Sequence, residues 1–281
     1  MIEIGNVLYK EPRVELLHAT PLYVAEVAGR TAYNSFEKSE HEKIREWKGY
    51  QLKDDIESSE ILNSLAWVHH HHSVLELINI SFSIKDTSRG VLQEFSRHRI
   101  QSLTVKSTRY TMSDILNAFI ASYITFNDYS LMFNSFVEIV RECNIDFLVI
   151  LEEDEVEIEL RYIFEKLLRM INKIGEEEFL KLSLSKENIE FCNCSVLSNT
   201  NIEVFNELKK GKVKRNVGDN FKNIVTDCWT TEIVFNMNLR SLKNFLNLRN
   251  SGSAYPLMRE LAIAIQSQVP KKYLDLIVRD K

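Results

Sequence analysis

Apolar and polar positions alternate most cleanly just after Leu77, where Ile78, Ile80, Phe82 and Ile84 fall on one side and Asn79, Ser81 and Ser83 on the other. A period of two predicts a half-buried strand. Lys85-Asp86 is expected to turn the chain, and a short helix from about Ser88 to Ser96 to carry it into Arg97-His98-Arg99. Upstream, a strand-like piece near Val14 to Leu17 precedes Thr20-Pro21, which reads as a helix start with Thr20 as cap and Pro21 at the first helical position. That helix should run to about Tyr33. Asp54 to Val68 predicts a second, with Ile56, Ile61, Leu62, Leu65 and Trp67 gathered toward one side.

From Asp114 to about Asn220 the pattern becomes helical. An acidic run, Glu152 to Glu159, leads into Leu160, Ile163, Phe164, Leu167, Leu168, Ile171 and Ile174 at helical spacing, stopped at Gly175. The charge runs Glu176 to Glu178 and Lys209 to Arg215 read as solvated faces. Beyond them Leu242, Phe245, Leu246 and Leu248 begin another helix, and Pro256 opens a last one through Leu257, Leu261, Ala262 and Ile265. There is no internal repeat.

Composition sharpens this outline. Only 8 Gly and 4 Pro occur in 281 residues, well below the average of about 12% for the two together, which argues against an all-β chain of many hairpins. The formal net charge of −5 excludes a molecule-wide basic footprint for nucleic acid or an anionic membrane. No uninterrupted apolar stretch is longer than Phe147 to Leu151, against about 20 residues for a spanning helix, and Met1 to Arg13 lacks a signal-peptide layout. A cytoplasmic location is the default expectation. Cys143, Cys192, Cys194 and Cys228 offer one C-x-C pair and no C-x-x-C, so free buried thiols are expected and no metal site.

One window reverses the sign of the chain. Between Phe95 and Ser113 lie Arg97, His98, Arg99, Lys106 and Arg109 with no Asp or Glu, together with hydroxyls at Ser96, Ser102, Thr104, Ser107, Thr108, Tyr110 and Thr111. Arginine forks and hydroxyl donors suit a phosphate monoester, whose oxygens accept several charge-assisted hydrogen bonds at once. With so little glycine, any phosphate here must be held by such side chains rather than by a glycine-rich loop.

The spacing is more specific than the composition. Arg97-His98-Arg99, seven residues and then Ser107-Thr108-Arg109-Tyr110 resembles the R-H-R-x7-S signature of the flavin-dependent thymidylate synthases. Asn238-Leu239-Arg240-Ser241-Leu242-Lys243-Asn244-Phe245-Leu246-Asn247-Leu248-Arg249 resembles that family's carboxyl-terminal block, and His71-x4-Glu76 its upstream H-x4-E. The resemblance covers Thr20 to Tyr33, Leu62 to Met112 and Lys222 to Ile265. It implies an α+β fold with a central, mostly antiparallel sheet flanked by helices, one catalytic domain over 1–281 with 114–220 a helical insertion of unassigned role, and a homotetramer with sites at subunit contacts. It also implies reductive methylation of dUMP to dTMP using methylenetetrahydrofolate, FAD and NADPH.

Roles follow position by position from the same resemblance. Arg97, Ser107, Thr108 and Arg109 match dUMP positions, with Ser107 and Arg109 near its phosphate; Arg249 matches the arginine that addresses the nucleotide, and Glu94 a dUMP contact that is often Gln. Ser73, Arg97, His98, Arg99, Asn238, Leu239, Arg240 and Asn244 match FAD positions. His71 aligns with the histidine beside the flavin, whereas His69, His70 and His72 are expected to be solvated. Arg249, Arg97 and His71 are the expected catalytic residues. Donors aimed at the uracil carbonyls would favour a transition state in which those oxygens gain negative charge.

Three departures stand out. Thr104-Val105 replaces a frequent Asn-Glu, Lys222 stands where many relatives place a phosphate-binding arginine, and Leu77 replaces a frequent histidine. Lysine keeps the charge of arginine but loses its bidentate fork. No proline precedes a cysteine, so the nucleophile of the classical thymidylate synthase is absent, and Ser107 lacks an adjacent base. The residues leave open a second reading, a non-catalytic nucleotide- or nucleic-acid-binding protein using the basic 97–109 segment, and a third, a degenerate relative that binds flavin without substrate.

Overall fold

The computed structural model describes residues 1–194 and 199–279. In chain order it contains strands β1 (Ile2–Ile4), β2 (Val7–Tyr9) and β3 (Arg13–Ala19), then helices α1 (Leu22–Tyr33), α2 (Glu42–Arg45) and α3 (Glu60–Trp67). Strand β4 (Asn79–Ser88), helix α4 (Arg89–Ser96) and strand β5 (Gln101–Val105) lead to a helical run: α5 (Thr108–Thr125), α6 (Tyr129–Glu142), α7 (Glu153–Ile174), α8 (Glu176–Ser183), α9 (Lys186–Cys194), α10 (Asn201–Lys210) and α11 (Val217–Asn220). Strand β6 (Thr230–Asn238) and helices α12 (Leu239–Arg249), α13 (Pro256–Gln268) and α14 (Lys271–Ile277) close the chain. No helix among the described residues is long and apolar enough to cross a membrane. The chain divides into two compact units, one of residues 11–87, 91–105 and 232–281, the other of 1–10, 88–90 and 106–231.

The first unit is built on a four-stranded sheet in the order β3-β4-β6-β5. β3 runs antiparallel to β4 with Val14 opposite Ile84 and Leu16 opposite Phe82, and the register slips between Leu16 and His18. β5 runs antiparallel to β6, Gln101 facing Met237 and Val105 facing Ile233. Between β4 and β6, Leu239 N donates to Ile78 O at 2.8 Å and Asn236 Nδ2 to Ser81 Oγ at 2.8 Å. One number rises as its partner falls, so this pair is antiparallel too. Ile78, Ile80, Phe82 and Ile84 are fully buried as the alternation predicts. The α+β expectation therefore stands, with helices flanking an antiparallel sheet. Phe82 and Phe95 both meet Phe235, at 5.3 and 4.9 Å between ring centres.

Several local expectations are corrected. Lys85-Asp86 does not end the strand: β4 runs on to Ser88, and Asp86 takes a positive φ of 56° within it while accepting a hydrogen bond from Arg13. Thr20 does not cap α1, because its hydroxyl accepts from Asn79 N at 3.1 Å. The free N–H of Tyr23 is instead met by Asp55 Oδ1 at 3.0 Å. That use of Asp55 keeps 54–59 out of the second helix, which starts at Glu60 with Ser59 as cap. Leu248 is 54% exposed rather than part of the apolar face of α12.

Behind α1, Glu26 is fully buried and accepts from Arg30 Nε at 3.2 Å and Ser39 Oγ at 2.6 Å. Arg30 also reaches Glu40 at 3.2 Å, so one guanidinium bridges both carboxylates and ties the loop after α1 to the helix.

The second unit is mostly helical, as the 114–220 pattern predicts. Met112 to Ser122 of α5, apart from the half-buried Asp114, are buried on all sides. Phe164 of α7 lies 5.3 Å from Phe119 and 5.5 Å from Phe133, and Gly175 stops α7 with φ 85°. Glu176 to Glu178 are exposed, as are Lys209, Lys210, Lys212 and Arg215 in the second charge run, while Lys214 is half-buried. A hairpin of β1 and β2 turns through Gly5 and Asn6, both with positive φ (58° and 69°), the combination a type I′ turn requires. Cys143, Cys192 and Cys228 are free and half-buried, and burial pushes the Cys192 and Cys228 thiols up to about 11. The side chain of Cys194 lies outside the described residues.

Asp55 also pairs with Lys272 at 2.8 Å. Burial opposes its ionisation, yet the Lys272 hydrogen bond and the backbone N–H groups of Leu22, Tyr23 and Ile56 together hold its carboxyl below the usual range. A depressed folded-state value gives stability that is present above the unfolded value and lost as pH falls through the folded one. Asp55→Asn should lower unfolding free energy at pH 7 by about 1–3 kcal/mol. Its urea midpoint should then fall less than that of the parent between pH 5 and 3.

Candidate functional site

α4 ends at Ser96, and the next residues turn back, with Arg97 N on Glu94 O at 3.3 Å and His98 N on Phe95 O at 3.1 Å. Arg97-His98-Arg99 therefore sits between the end of α4 and the start of β5. α12 begins directly where β6 stops. Its Leu239, Leu242, Phe245 and Leu246 are buried in the core, which leaves Arg240, Lys243, Asn244 and Asn247 along the other side at helical spacing. The two stretches line a cleft of about 1020 Å³ within the first unit, completed by His72 and Glu76 from the short 3₁₀ helix His72–Leu77.

Charge in the cleft is organised by two carboxylates. Glu94 Oε1 accepts from Arg97 Nη1 at 3.0 Å and Oε2 from Arg249 Nη2 at 3.2 Å. The Arg97 hydrogen bond above all, with the Arg97 and Arg249 charges, holds Glu94 below the usual carboxylate range although desolvation opposes it. Glu76 pairs with Arg240. Arg249 Nε donates to His98 Nε2 at 3.1 Å. Burial foremost, then the Arg249 and Arg97 charges, lower the His98 imidazole below its ordinary value, with Glu94 opposing, and so favour its neutral form. Its ring stands edge-on to Phe245 at 5.0 Å. Lys243 rests 3.8 Å above the Trp67 ring, and burial lowers its ammonium.

The cleft thus gathers Glu94, Arg97, His98, Arg99, Asn238, Arg240, Asn244 and Arg249 from the expected residues. Leu239 turns into the core, fully buried. Asn238 is a helix cap, its Oδ1 accepting from Ser241 N at 2.8 Å. His71 and Ser73 are exposed and do not line the cleft. The His71 Nδ1 is hydrogen-bonded to the Tyr33 hydroxyl, and the two rings are parallel to within 2°. His72, expected to be solvated, is half-buried and lines the cleft, with Nε2 3.0 Å from Ala66 O and 3.4 Å from Lys243 Nζ.

The remaining expected residues belong to the second unit. Ser107 caps α5, its Oγ accepting from Arg109 N at 3.3 Å, so Thr108 and Arg109 open an 18-residue helix with no acidic residue in its first turn. Such an end attracts anions. A side chain at Gly218 would pack 3.5 Å from Thr108 Oγ1. Lys222 is exposed on a single turn, Lys222–Ile224. Sequence reasoning gave no role to His72, Lys243, Asn247 or Ile100. The spacing of Arg240, Lys243, Asn244 and Asn247 on one side of an amphipathic helix was the available signal for two of them.

Chemically the cleft offers fixed N–H donors of both guanidinium and imidazole type, an excess of positive charge and no activated nucleophile. That suits binding of phosphates and stabilisation of negative charge on carbonyl oxygens. The comparisons with known proteins agree. The family model described as thymidylate synthase complementing protein matches residues 15–273. The flavin-dependent thymidylate synthase of Helicobacter pylori is 28% identical over 256 residues, covering 91% of this chain and 92% of its own. That of Campylobacter jejuni is 27% identical over 261 residues, covering 93% of each. A crystal structure of thymidylate synthase X from Helicobacter pylori with FAD and dUMP aligns over 95% of this chain and 97% of its own, with TM-score 0.56 and 28% identity.

Since Asn238 caps α12, Asn238→Ala should cost about 1 kcal/mol in unliganded stability. Asn238→Ser should recover most of it in thermal melts, because a serine oxygen can take the same N–H.

Proposed function

This chain belongs to the flavin-dependent thymidylate synthases, and we propose that it carries out their reaction in full, converting dUMP to dTMP with carbon from methylenetetrahydrofolate and reducing equivalents from NADPH. The observation that carries this reading is the convergence of all or part of three motif blocks on one cleft whose positive charge exceeds its negative charge.

The residues present fit FAD. Glu94 and Glu76 engage Arg97, Arg249 and Arg240, while Arg99 has no carboxylate partner among the described residues, so the cleft keeps positive charge for a diphosphate. Arg97, His98, Arg99, Asn238, Arg240 and Asn244 would hold the cofactor, which when bound relays hydride from NADPH. The backbone at Leu239 lies beside that set, its side chain being inward. His71, oriented by Tyr33, and nearby Ser73 would border the flavin.

For dUMP, the family motif puts Ser107 and Arg109 near the phosphate, beside Thr108 as a further dUMP position and Lys222 in place of a phosphate-binding arginine, and the open end of α5 supports an anion there. Arg97 and Arg249 would address the pyrimidine, where their N–H donors stabilise negative charge developing on a carbonyl oxygen. Glu94 accepts hydrogen bonds only, so it suits a ribose hydroxyl and excludes a phosphate from its neighbourhood. A homotetramer is the assembly we propose, supported by the exposed apolar Ile100 and Leu248 in the lining of the cleft.

Purified protein should be yellow and should release tritium from 5-tritiated dUMP only when methylenetetrahydrofolate and NADPH are both supplied. Failure of both tests under anaerobic, reducing conditions would overturn the proposal. Light scattering should give four times the 32.8 kDa chain mass. Because Ser107 is a cap and ligand-binding residue rather than a nucleophile, Ser107→Ala should weaken dUMP binding yet keep measurable turnover. Complete loss of turnover with dUMP and flavin binding intact would make it the nucleophile after all.

A further inference from the structure

Arg249 enters the cleft held at two points. Its Nε–H donates to His98 Nε2 at 3.1 Å and its Nη2 to Glu94 Oε2 at 3.2 Å. A guanidinium carries five N–H donors in a rigid fork, so three remain, and the two bonds fix the plane in which they lie. The side chain is 20% exposed against 73% for Arg97, so Arg249 is the more firmly placed of the two. Glu94 holds both arginines, one on each oxygen. An amide at position 94 would have a single acceptor oxygen and could hold only one of them.

The same contact acts on the histidine. Arginine keeps its protons in proteins, so a hydrogen bond from Nε requires a bare Nε2 on His98. The neutral ring then carries its proton on Nδ1. Phe95 and Phe245 flank the imidazole, with ring centres 6.5 and 5.0 Å away, and restrict its rotation.

We propose that Glu94 and His98 are positioning residues for Arg249, and that Arg249 in turn holds His98 as the neutral Nδ1–H tautomer, so that the cleft offers an aimed guanidinium face and an imidazole N–H donor together. The groups facing His98 are Glu94, Arg97 and Phe95 from α4 and its end, and Arg249 and Phe245 from α12. The lowering of the imidazole by burial and by the two arginines keeps Nε2 bare at neutral pH. Protonation in acid would remove the acceptor and release Arg249. The catalytic meaning of this pairing rests on the function proposed above, whereas the tautomer itself does not.

Solid-state 15N spectra of the full protein labelled at histidine test the tautomer directly, with His98→Gln identifying the signal. The expected result is a protonated Nδ1 and bare Nε2 in the parent protein, with that preference lost in Arg249→Ala. A protonated Nε2 in the parent, or no change in Arg249→Ala, would overturn the proposal whether or not the protein turns over dUMP. In the active enzyme, Glu94→Gln should lower kcat by roughly tenfold or more while KM for dUMP stays within about twofold. The acid limb of its kcat profile should move to lower pH, because the charge that raises the His98 value is gone. An unmoved limb, or a kcat within about twofold of the parent, would show that Glu94 does not position Arg249, whereas an amide oxygen at 94 can still accept from a ribose hydroxyl.

Discussion

The register of three neighbouring strands is the constraint on which the cleft depends. Leu239 N bonds to Ile78 O, and Gln101 faces Met237, so the start of β4, the start of β5 and the end of β6 lie at one end of the sheet. β4 leaves that end and α4 returns toward it, eight residues or about 12 Å of helix. Glu76, Arg97 to Arg99 and Asn238 to Arg249 are brought together by that arrangement alone. A slip of one residue in β6 would turn Ile233, Phe235 and Met237 out of the core, and with them the helix that carries Arg240 and Arg249.

Packing then converts proximity into aim. Phe95 meets Phe235 and Phe245 edge-on at 4.9 and 5.3 Å, and His98 lies against the same Phe245. The aromatic floor of the sheet is thus continuous with a polar side chain of the cleft. On that floor two carboxylates engage three arginines, which limits mutual repulsion among the guanidiniums and leaves a net positive charge in a chain of net −5. Such an arrangement attracts an anionic ligand without a glycine-rich loop.

Much of the fold could be read from periodicity because a strand or helix with one buried face repeats its apolar residues by necessity. The alternation from Ile78 to Ile84, the buried stripe of α7 and the split faces of α12 all belong to this kind. What escaped was set by partners distant in sequence or by single backbone angles. Asp55 caps a helix that begins 33 residues before it, Asp86 takes a positive φ inside a strand that runs on, and Gly5-Asn6 closes a hairpin on only three residues a side. A periodic pattern carries no record of a cap donated from elsewhere, and strands of three residues are too short to show one.

The sequence by itself determined which side chains could do the chemistry. The acid-free window and the spacing of Arg97-His98-Arg99, Ser107 and the Asn238 to Arg249 block are local facts that survive any folding. Tertiary structure decided which of them meet and in what state. It sends Leu239 inward, makes caps of Asn238 and Ser107, brings His72 into the cleft and orients His71 against Tyr33. It also sets Glu94 between two arginines and His98 under a third donor. These outcomes depend on distances across the sheet and between helices, and on burial that shifts proton affinity, none of which is encoded in the spacing of any one segment.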